Sequence, residues 1–283
     1  MNNNFCFFVY TNEKYLPIAD LTIGEFDKHF PENHLKRYVV SNRIVDYEFT
    51  NKNATFIDCN VRHDGMGRQF AETMTVALNQ IPEEYIIFFC DDYMLIDKPN
   101  IKRFETILKL FVEHNIDFFS FASNHPKPDW EKYDLNFPDL EGRNFYKLPD
   151  YYQYHYSVQP CIWKKSSLLE ILKYNPNMSL HDLDTTNIKN REGLIREIDK
   201  TKGGWGLYPS GSQNYGFKDL TTDYMDYNEL HNYEFFIFPY VELIRFGFFN
   251  LWYNTNTKTF IENMIEKKDL KNHPYLKKFI HES

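Results

Sequence analysis

Cysteine is scarce in this sequence, and the few cysteines present are not spaced for a metal site. Cys6, Cys59, Cys90 and Cys161 lie far apart, with no C-x-x-C pair and no histidine cluster nearby. Three of them stand inside apolar, strand-like runs, where a free cysteine behaves as a small hydrophobic residue. We therefore expect buried, reduced thiols, as in a cytosolic protein.

The sequence also lacks an evident leader and an uninterrupted membrane-spanning run. Its first residues contain no basic segment followed by a long apolar one, which a signal peptide requires. The longest apolar stretch near the C-terminus, residues 234–253, is interrupted by Glu242 and Arg245. Such a stretch is a poor membrane span. We expect a cytoplasmic protein without a transmembrane segment, and peripheral contact with a membrane stays open.

Positive charge is in deficit as well, since the formal net charge is −8 at pH 7. Proteins that bind nucleic acids in general depend on Lys and Arg to displace counterions from phosphates. The charge balance therefore argues against general nucleic-acid binding.

Aromatic residues, by contrast, are abundant and make up 18% of the chain, with 21 Tyr and 26 Phe. Most of them must lie in the core of the protein. Aromatic rings left at the surface would suit stacking against a sugar face or a nucleobase, because they offer flat apolar area with few rotamers to lose.

Short apolar runs alternate with helical patterns along the chain, with no internal repeat and no low-complexity linker. This alternation predicts an α/β fold with a mostly parallel central sheet flanked by helices. Runs without polar alternation are typical of strands buried on both faces. The candidate strands are Phe5–Tyr10, Tyr38–Ser41, Ala54–Ile57, Tyr85–Cys90 and Ile116–Ala122.

Four helices are predicted between and after these strands. They lie within residues 12–29, over 65–80, from Pro99 onward and after Ser166. The chain then becomes polar and loop-rich from 175 to 226, which is typical of loops around a site. We interpret residues 1–283 as a single domain, with a ligand-binding half over 1–125 and a loop-rich second half over 126–283.

Two adjacent carboxylates end the most apolar of the predicted strands, in the sequence YIIFFCDDYML. Ligands of open α/β sheets bind beyond the carboxyl ends of the strands, which places Asp91 and Asp92 at the expected crevice. Neighbouring carboxylates repel each other unless a cation compensates. Mg²⁺ or Mn²⁺ takes one or two carboxylates together with phosphate oxygens of a substrate. We predict a divalent metal on Asp92 and Asp91; the alternative is two solvated loop acids.

The end of the first strand offers an aromatic ring and small polar groups at the same edge of the sheet. Tyr10, Thr11 and Asn12 form a candidate ledge for a nucleobase, although an ordinary strand-to-helix cap explains them equally well. Arg68 lies off the apolar stripe of its predicted helix and could reach a phosphate, or it could be a solvated surface arginine.

Candidates for binding a second substrate lie in the second half of the chain. Gln159 and Trp163 precede a predicted helix, and an exposed Trp163 could stack on a pyranose ring; a core tryptophan is the alternative. Further on, Asp182 and Asp184 form a second acidic pair. A general base must approach from the side opposite a leaving group, so we expect it to come from this separate part of the chain.

Together these segments resemble the GT-A nucleotide-diphospho-sugar glycosyltransferases, especially bacterial and viral members related to family two. The resemblance runs over residues 5–250. The acidic motif here reads DDY rather than D-x-D, which leaves open which aspartate binds the ion directly, and HDLD stands where the family has W-x-x-E. The segments of this chain that carry the resemblance are FCFFVYTNEKYL, EYIIFFCDDYML, SVQPCIWKKSSLLEIL and YVELIRFGFFN.

The resemblance implies a GT-A fold, a nucleotide-sugar donor, with a UDP-sugar as the expected one, and an inverting displacement. The acceptor would be a hydroxyl group of a glycan or another molecule. Two other classes stay as alternatives. A sugar-phosphate nucleotidyltransferase would also use strand-end aspartates, but no Gly-rich loop carrying Lys or Arg stands near the N-terminus. A non-catalytic carbohydrate-binding protein would explain the aromatic residues but not the acidic pair.

Overall fold

Four parallel strands lie side by side in a nine-stranded sheet. In the computed structural model the strand order of this sheet is β3-β2-β1-β4-β9-β6-β10-β8-β7, and β5 pairs with β11 in a separate two-stranded sheet. The strands are β1 (Phe5–Thr11), β2 (Lys36–Ser41), β3 (Thr55–Asp58), β4 (Tyr85–Cys90), β5 (Tyr93–Leu95), β6 (Phe118–Ser120), β7 (Lys132–Tyr133), β8 (Asn144–Lys147), β9 (Cys161–Lys164), β10 (Gly204–Tyr208) and β11 (Tyr240–Glu242).

Four helices accompany these strands: α1 (Leu16–His29), α2 (Gln69–Leu78), α3 (Ile101–Glu113) and α4 (Lys165–Tyr174). No helix in the part of the chain that the structure describes is long and apolar enough to cross a membrane. The described residues are 4–31, 34–62, 69–95, 98–120, 132–133, 144–147, 158, 160–174, 176–180, 183, 204–208 and 240–242.

The α/β class expected from the sequence is confirmed, and so are the five predicted strands, to within a few residues at their ends. The sheet is parallel from β3 through β2 and β1 to β4. Beyond β4 it is mixed, because β9 runs antiparallel to both β4 and β6. This strand enters the sheet from the edge at which the parallel strands end.

The central strands form because their apolar runs are covered on both faces. All seven residues of β1 and all six of β4 are buried. On one face Phe7 packs against Phe26 of α1, with ring centroids 5.1 Å apart, and against Phe104 of α3. On the other face Tyr10 meets Phe70 of α2. Since side chains alternate along a strand, the two faces of β1 are each closed by a different helix layer.

The helix starts follow local sequence signals. Pro17 lies in the first turn of α1, where its missing N–H costs no hydrogen bond. Before α3, the side chain of Asn100 caps the helix by accepting a hydrogen bond from the backbone N–H of Arg103 at 3.1 Å. The helix therefore begins at Ile101, two residues after the predicted start at Pro99. Helix α4 begins directly after β9, so the chain reverses there without an intervening loop.

Candidate active site

The carboxyl ends of β1, β2, β3 and β4 meet along one edge of the sheet. Thr11 lies opposite Ser41, and Ser41 lies opposite Asp58 in the next strand. On the other side Tyr10 lies opposite Cys90, the last residue of β4. The parallel arrangement therefore brings the chain after four separate strands to a single line, as open α/β sheets do at their ligand-binding edge.

Asp91 is fixed at this edge by three hydrogen bonds, two to β1 and one to α1. Its backbone N–H donates to the carbonyl oxygen of Tyr10 at 2.9 Å and so extends the β1–β4 ladder by one residue. Its carboxylate Oδ2 accepts from the hydroxyl of Thr11 at 2.6 Å. Its carbonyl oxygen accepts from the hydroxyl of Thr22 in α1. The Asp91 backbone and one of its carboxylate oxygens are therefore held by the protein.

Burial raises the pKa of Asp91 from 3.8 to about 7. The hydrogen bond from Thr11 and the nearby backbone N–H groups act in the opposite direction, because they favour the charged form. Desolvation is the larger effect, since Asp91 is only 7% exposed. A carboxylate held in this state gains from any cation that binds beside it.

Asp92 follows directly and is also 7% exposed. Tyr15, which immediately precedes α1, lies close enough to the pair for its titration to respond to them. The pKa of Tyr15 is raised by burial first and then by the negative charges of Asp91 and Asp92. The half-buried phenol of Tyr15 therefore lies near the acidic pair, although the sequence did not single it out.

Asn42 connects three of the four strand ends. It is fully buried, and its Oδ1 accepts from the backbone N–H of Glu13, after β1, at 2.9 Å. Its Nδ2 donates to the carbonyl oxygen of Val61, after β3, at 3.1 Å, and its own carbonyl oxygen accepts from the N–H of Val61 at 2.8 Å. One side chain at the end of β2 thus fixes the backbone on both sides of it.

The residues of the expected nucleobase ledge are placed at the edge, but two of them face inward. Tyr10 packs edge-on against Phe70, with ring centroids 5.1 Å apart, and Thr11 donates its hydroxyl to Asp91. Asn12 is partly exposed, and its Oδ1 accepts from the N–H of Lys14 at 2.9 Å. Tyr10 and Thr11 are therefore buried parts of the site, whereas Asn12 and Tyr15 are partly exposed.

The expected acceptor residue Trp163 lies in the core. It is 1% exposed, its strand pairs with β4 and β6, and its ring centroid is 4.4 Å from that of Phe118. Stacking on an acceptor from this position is excluded, so the core alternative for Trp163 is the correct one. The apolar partners on both neighbouring strands explain this placement. Gln159 lies outside the described residues, whereas its neighbour Val158 accepts a hydrogen bond from the thiol of Cys90 at 3.5 Å.

Arg68, Asp182 and Asp184 also lie outside the described residues. Helix α2 begins at Gln69, and its Ala71 N–H donates to the carbonyl oxygen of Met178 at 3.2 Å. The segment that follows α4 therefore contacts the first turn of α2. Leu183 is buried and donates its N–H to the carbonyl oxygen of Ser179 at 3.2 Å.

The acidic pair fits a divalent ion that completes its coordination with a substrate. Within the described residues, no group of three or more His, Cys, Asp or Glu side chains could hold a metal ion by itself. Two carboxylates suit Mg²⁺ or Mn²⁺, which keep several positions for water and phosphate oxygens. Zinc, which is commonly held by three or four protein ligands, is a poorer match to this donor set.

Thr22 and Asn42 were missed in the sequence because their partners are distant along the chain. A signal was nevertheless present for Thr22, which lies on the apolar stripe of its helix with Ala19, Ile23 and Phe26. A hydroxyl at such a position is expected to have a specific partner, since buried polar groups are almost always hydrogen-bonded. Asn42 had no comparable signal.

No known protein family and no curated protein matches the sequence. Among solved structures, S. aureus TarS 1-349 is 16% identical, with 74% of this chain and 58% of that chain covered and a TM-score of 0.40. TarS 1-349 in complex with UDP-GlcNAc is 14% identical over 80% and 63%, with a TM-score of 0.41. Mannosyltransferase PcManGT from Pyrobaculum calidifontis, in complex with GDP-Man and Mn²⁺, is 13% identical over 65% and 50%, with a TM-score of 0.39. The chain thus spans less than two thirds of each, and similarity at this level does not assign it to a family.

Proposed function

We propose that this protein is a metal-dependent glycosyltransferase that moves a sugar from a nucleotide-sugar donor to a hydroxyl group, with inversion at the anomeric carbon. The observation that supports the proposal is the buried pair Asp91–Asp92 at the carboxyl edge of four parallel strands. Ligands bind at this edge in open α/β sheets. A raised carboxyl pKa beside a second carboxylate favours a bound cation, and a diphosphate brings further oxygen ligands to such a cation.

Asp92 and Asp91 would hold the ion, with Asp92 as the direct ligand and Asp91 as its support. When bound there, a Mg²⁺ or Mn²⁺ ion would neutralise the charge that develops on the departing nucleoside diphosphate. One observation supports a supporting role for Asp91: its Oδ2 accepts a hydrogen bond from the Thr11 hydroxyl. A UDP-sugar is the donor to test first.

The acceptor chemistry is assigned to the second half of the chain. Asp184, or Asp182 in its place, takes the proton of the acceptor hydroxyl as its oxygen bonds to the anomeric carbon. At the same time the bond from that carbon to the diphosphate oxygen breaks, and the nucleoside diphosphate leaves with the electron pair. Arg68 would contact the donor phosphates and Gln159 the acceptor. The contact between α2 and Met178 supports a base from this segment, because it brings the segment to the helix that follows β3.

Slow hydrolysis of the donor tests the proposal without knowledge of the acceptor. The protein is incubated with a panel of UDP-, GDP- and other nucleotide sugars, with Mn²⁺ or with EDTA, and free nucleoside diphosphate is measured. We expect release from one donor only, and only with Mn²⁺. Binding of sugars without any release would favour a carbohydrate-binding protein. Release of pyrophosphate from a nucleoside triphosphate with a sugar phosphate would favour a nucleotidyltransferase.

A further inference from the structure

We propose that Thr22, in the middle of α1, is a positioning residue for the Asp91–Asp92 pair. The inference rests on the proposed function. It gives α1, which contributes no predicted metal ligand, a role in positioning the acidic pair. Its observation is the hydrogen bond from the Thr22 hydroxyl to the carbonyl oxygen of Asp91, between residues 69 positions apart.

The bond is buried, because Thr22 is fully excluded from solvent. A threonine inside a helix commonly bonds back to the carbonyl of its own preceding turn. Here the hydroxyl crosses from α1 to the strand end instead of serving only its helix. Buried in this way, the bond is not exchanged with water, so it is a fixed link between α1 and the acidic turn.

The acceptor of this bond is the carbonyl of the peptide that joins Asp91 to Asp92. The peptide unit is planar, so a contact that fixes its carbonyl also fixes the N–H and the Cα of Asp92. The other side of Asp91 is fixed by its N–H bond to Tyr10. The backbone leading into Asp92 is thereby held from two directions, by β1 and by α1.

The other hydrogen bond to Asp91 has a different effect. Thr11 donates to the Asp91 carboxylate at 2.6 Å and so orients a side chain. Thr22 donates to a backbone carbonyl oxygen, so removing its hydroxyl changes the position of Asp92 and not its charge. Partners that orient metal ligands typically alter metal affinity by roughly 10- to 100-fold when they are lost.

Two substitutions of Thr22 separate the hydroxyl from the shape of the side chain. Thr22→Val keeps the branched shape and removes the hydroxyl, whereas Thr22→Ser keeps the hydroxyl and removes a methyl group. Thr75→Val is the matched control, because the Thr75 hydroxyl donates within its own helix, to the carbonyl oxygen of Ala71 at 2.7 Å. Helical content and melting temperature are recorded for every variant.

The measurement is the dissociation constant of UDP for the full chain, by titration calorimetry, in Mn²⁺ and in EDTA. We expect Thr22→Val to weaken UDP binding in Mn²⁺ by roughly 10-fold or more and to leave the affinity in EDTA unchanged. Thr22→Ser and Thr75→Val should match the wild-type values in both conditions. A merely structural role for Thr22 would weaken binding in both.

Three results overturn the inference, and they are distinguishable. Mn²⁺-dependent UDP binding that is equally tight in wild type and Thr22→Val contradicts the role of Thr22 alone. Wild-type affinity that is the same in Mn²⁺ and EDTA contradicts the proposed function, and the inference that rests on it falls with it. Equal weakening in Mn²⁺ and EDTA assigns Thr22 to the structure of the protein only.

Discussion

Asp91 is held in place through its carboxylate, its carbonyl and its backbone N–H. The carboxylate of Asp91 accepts a hydrogen bond from the Thr11 hydroxyl, and its carbonyl oxygen accepts one from the Thr22 hydroxyl. Its N–H donates to Tyr10 and continues the sheet ladder. At this position burial outweighs the hydrogen bonds and raises the pKa of Asp91 to about 7. The residue therefore makes the folded state of the metal-free protein sensitive to pH.

The sign of this effect follows from proton linkage. Between pH 3.8 and about 7 the folded protein holds a proton on Asp91 that the unfolded chain has lost. The free energy of unfolding therefore falls as pH rises through this interval and levels off above about 7. The cost of burying the charged Asp91 carboxylate is fully present above its pKa in the folded protein. It is absent below the pKa of Asp91 in the unfolded chain.

We expect Asp91→Asn to remove this dependence. In EDTA, the free energy of unfolding of wild type relative to Asp91→Asn should fall between pH 5 and pH 8, by on the order of 1 to 3 kcal/mol. Urea unfolding at several pH values measures it. Asp58→Asn, at an exposed position of the same sheet edge, is the control. An identical pH profile for wild type and Asp91→Asn would show that Asp91 keeps an ordinary pKa in the folded protein.

At the scale of the elements, Asn42 fixes the backbone that follows β1 and β3 at the carboxyl edge. It is an interior link between the ends of β1, β2 and β3, and each of its side-chain groups has a backbone partner. Such a link holds loops in place that apolar packing alone would leave with several arrangements.

Asn42→Ala should therefore be costly to stability. It leaves the Glu13 N–H and one acceptor position of the Val61 carbonyl without their partner, at about 1–3 kcal/mol for each buried group that stays unsatisfied. Asn79→Ala makes the same truncation at an exposed position, where Nδ2 donates to the carbonyl oxygen of Thr75, four residues earlier. That variant should stay within about 0.5 kcal/mol of wild type. Urea unfolding measures the free energy of unfolding of both variants. Equal values for Asn42→Ala and Asn79→Ala would show that Asn42 is not a structural link.

The assignment of Trp163 to the core gives a prediction for β9. A Trp→Ala change in a packed core removes apolar contacts and leaves a cavity, at about 3–5 kcal/mol. We expect a loss in this range for Trp163→Ala, measured by chemical denaturation, and a smaller loss for Trp163→Phe. A loss below about 0.5 kcal/mol would mean that the side chain is exposed and would restore its predicted role in stacking.

The sequence was sufficient to predict some of these elements and not others, for physical reasons. Strands β1 and β4 are long apolar runs that can only be buried on both faces, and the stripe of α2 is periodic. The acidic pair was predictable because it ends such a run abruptly. Strand β9 has only four residues, and its antiparallel place between β4 and β6 depends on pairings with distant residues. The roles of Thr22 and Asn42 depend on contacts that no local pattern encodes.

At the scale of the whole molecule, the two parts of the sheet contribute differently to the edge. The parallel part ends there with Asp91 and Asp92. The antiparallel β9 begins there, and the residue Val158 before it meets Cys90 at the end of β4. We propose that residues 1–125 bind the donor and that residues 126–283 supply the acceptor side. The entry of β9 at this edge supports that division, because it returns the second half of the chain to the acidic pair.

The aromatic content is explained mainly by the core. Ten of the eleven largest fully buried side chains among the described residues are phenylalanines, and the other is Trp163. Phe7 alone packs against rings from α1, α3 and β4. The expectation that most aromatic residues form the interior is confirmed for this part of the chain, whereas Tyr15 is a partly exposed aromatic residue near the acidic pair.

The central claim is that Asp91 and Asp92 bind a nucleoside diphosphate through a divalent ion, and ligand-induced stabilisation tests it most directly. The melting temperature is measured with UDP in Mn²⁺ and in EDTA for wild type, Asp92→Asn and Glu113→Gln. Glu113 ends α3 at the opposite edge of the sheet and controls for the loss of one surface carboxylate.

A ligand at a hundred times its dissociation constant stabilises the folded state by about 2.7 kcal/mol. We predict a stabilisation of that order, seen as a rise in melting temperature, for wild type and Glu113→Gln in Mn²⁺. The rise in EDTA should be much smaller. Asp92→Asn should keep or raise the melting temperature of the free protein, because it relieves like-charge repulsion, and should lose the Mn²⁺-dependent shift. Equal shifts in Mn²⁺ and EDTA for wild type, or a full Mn²⁺-dependent shift in Asp92→Asn, would contradict the account.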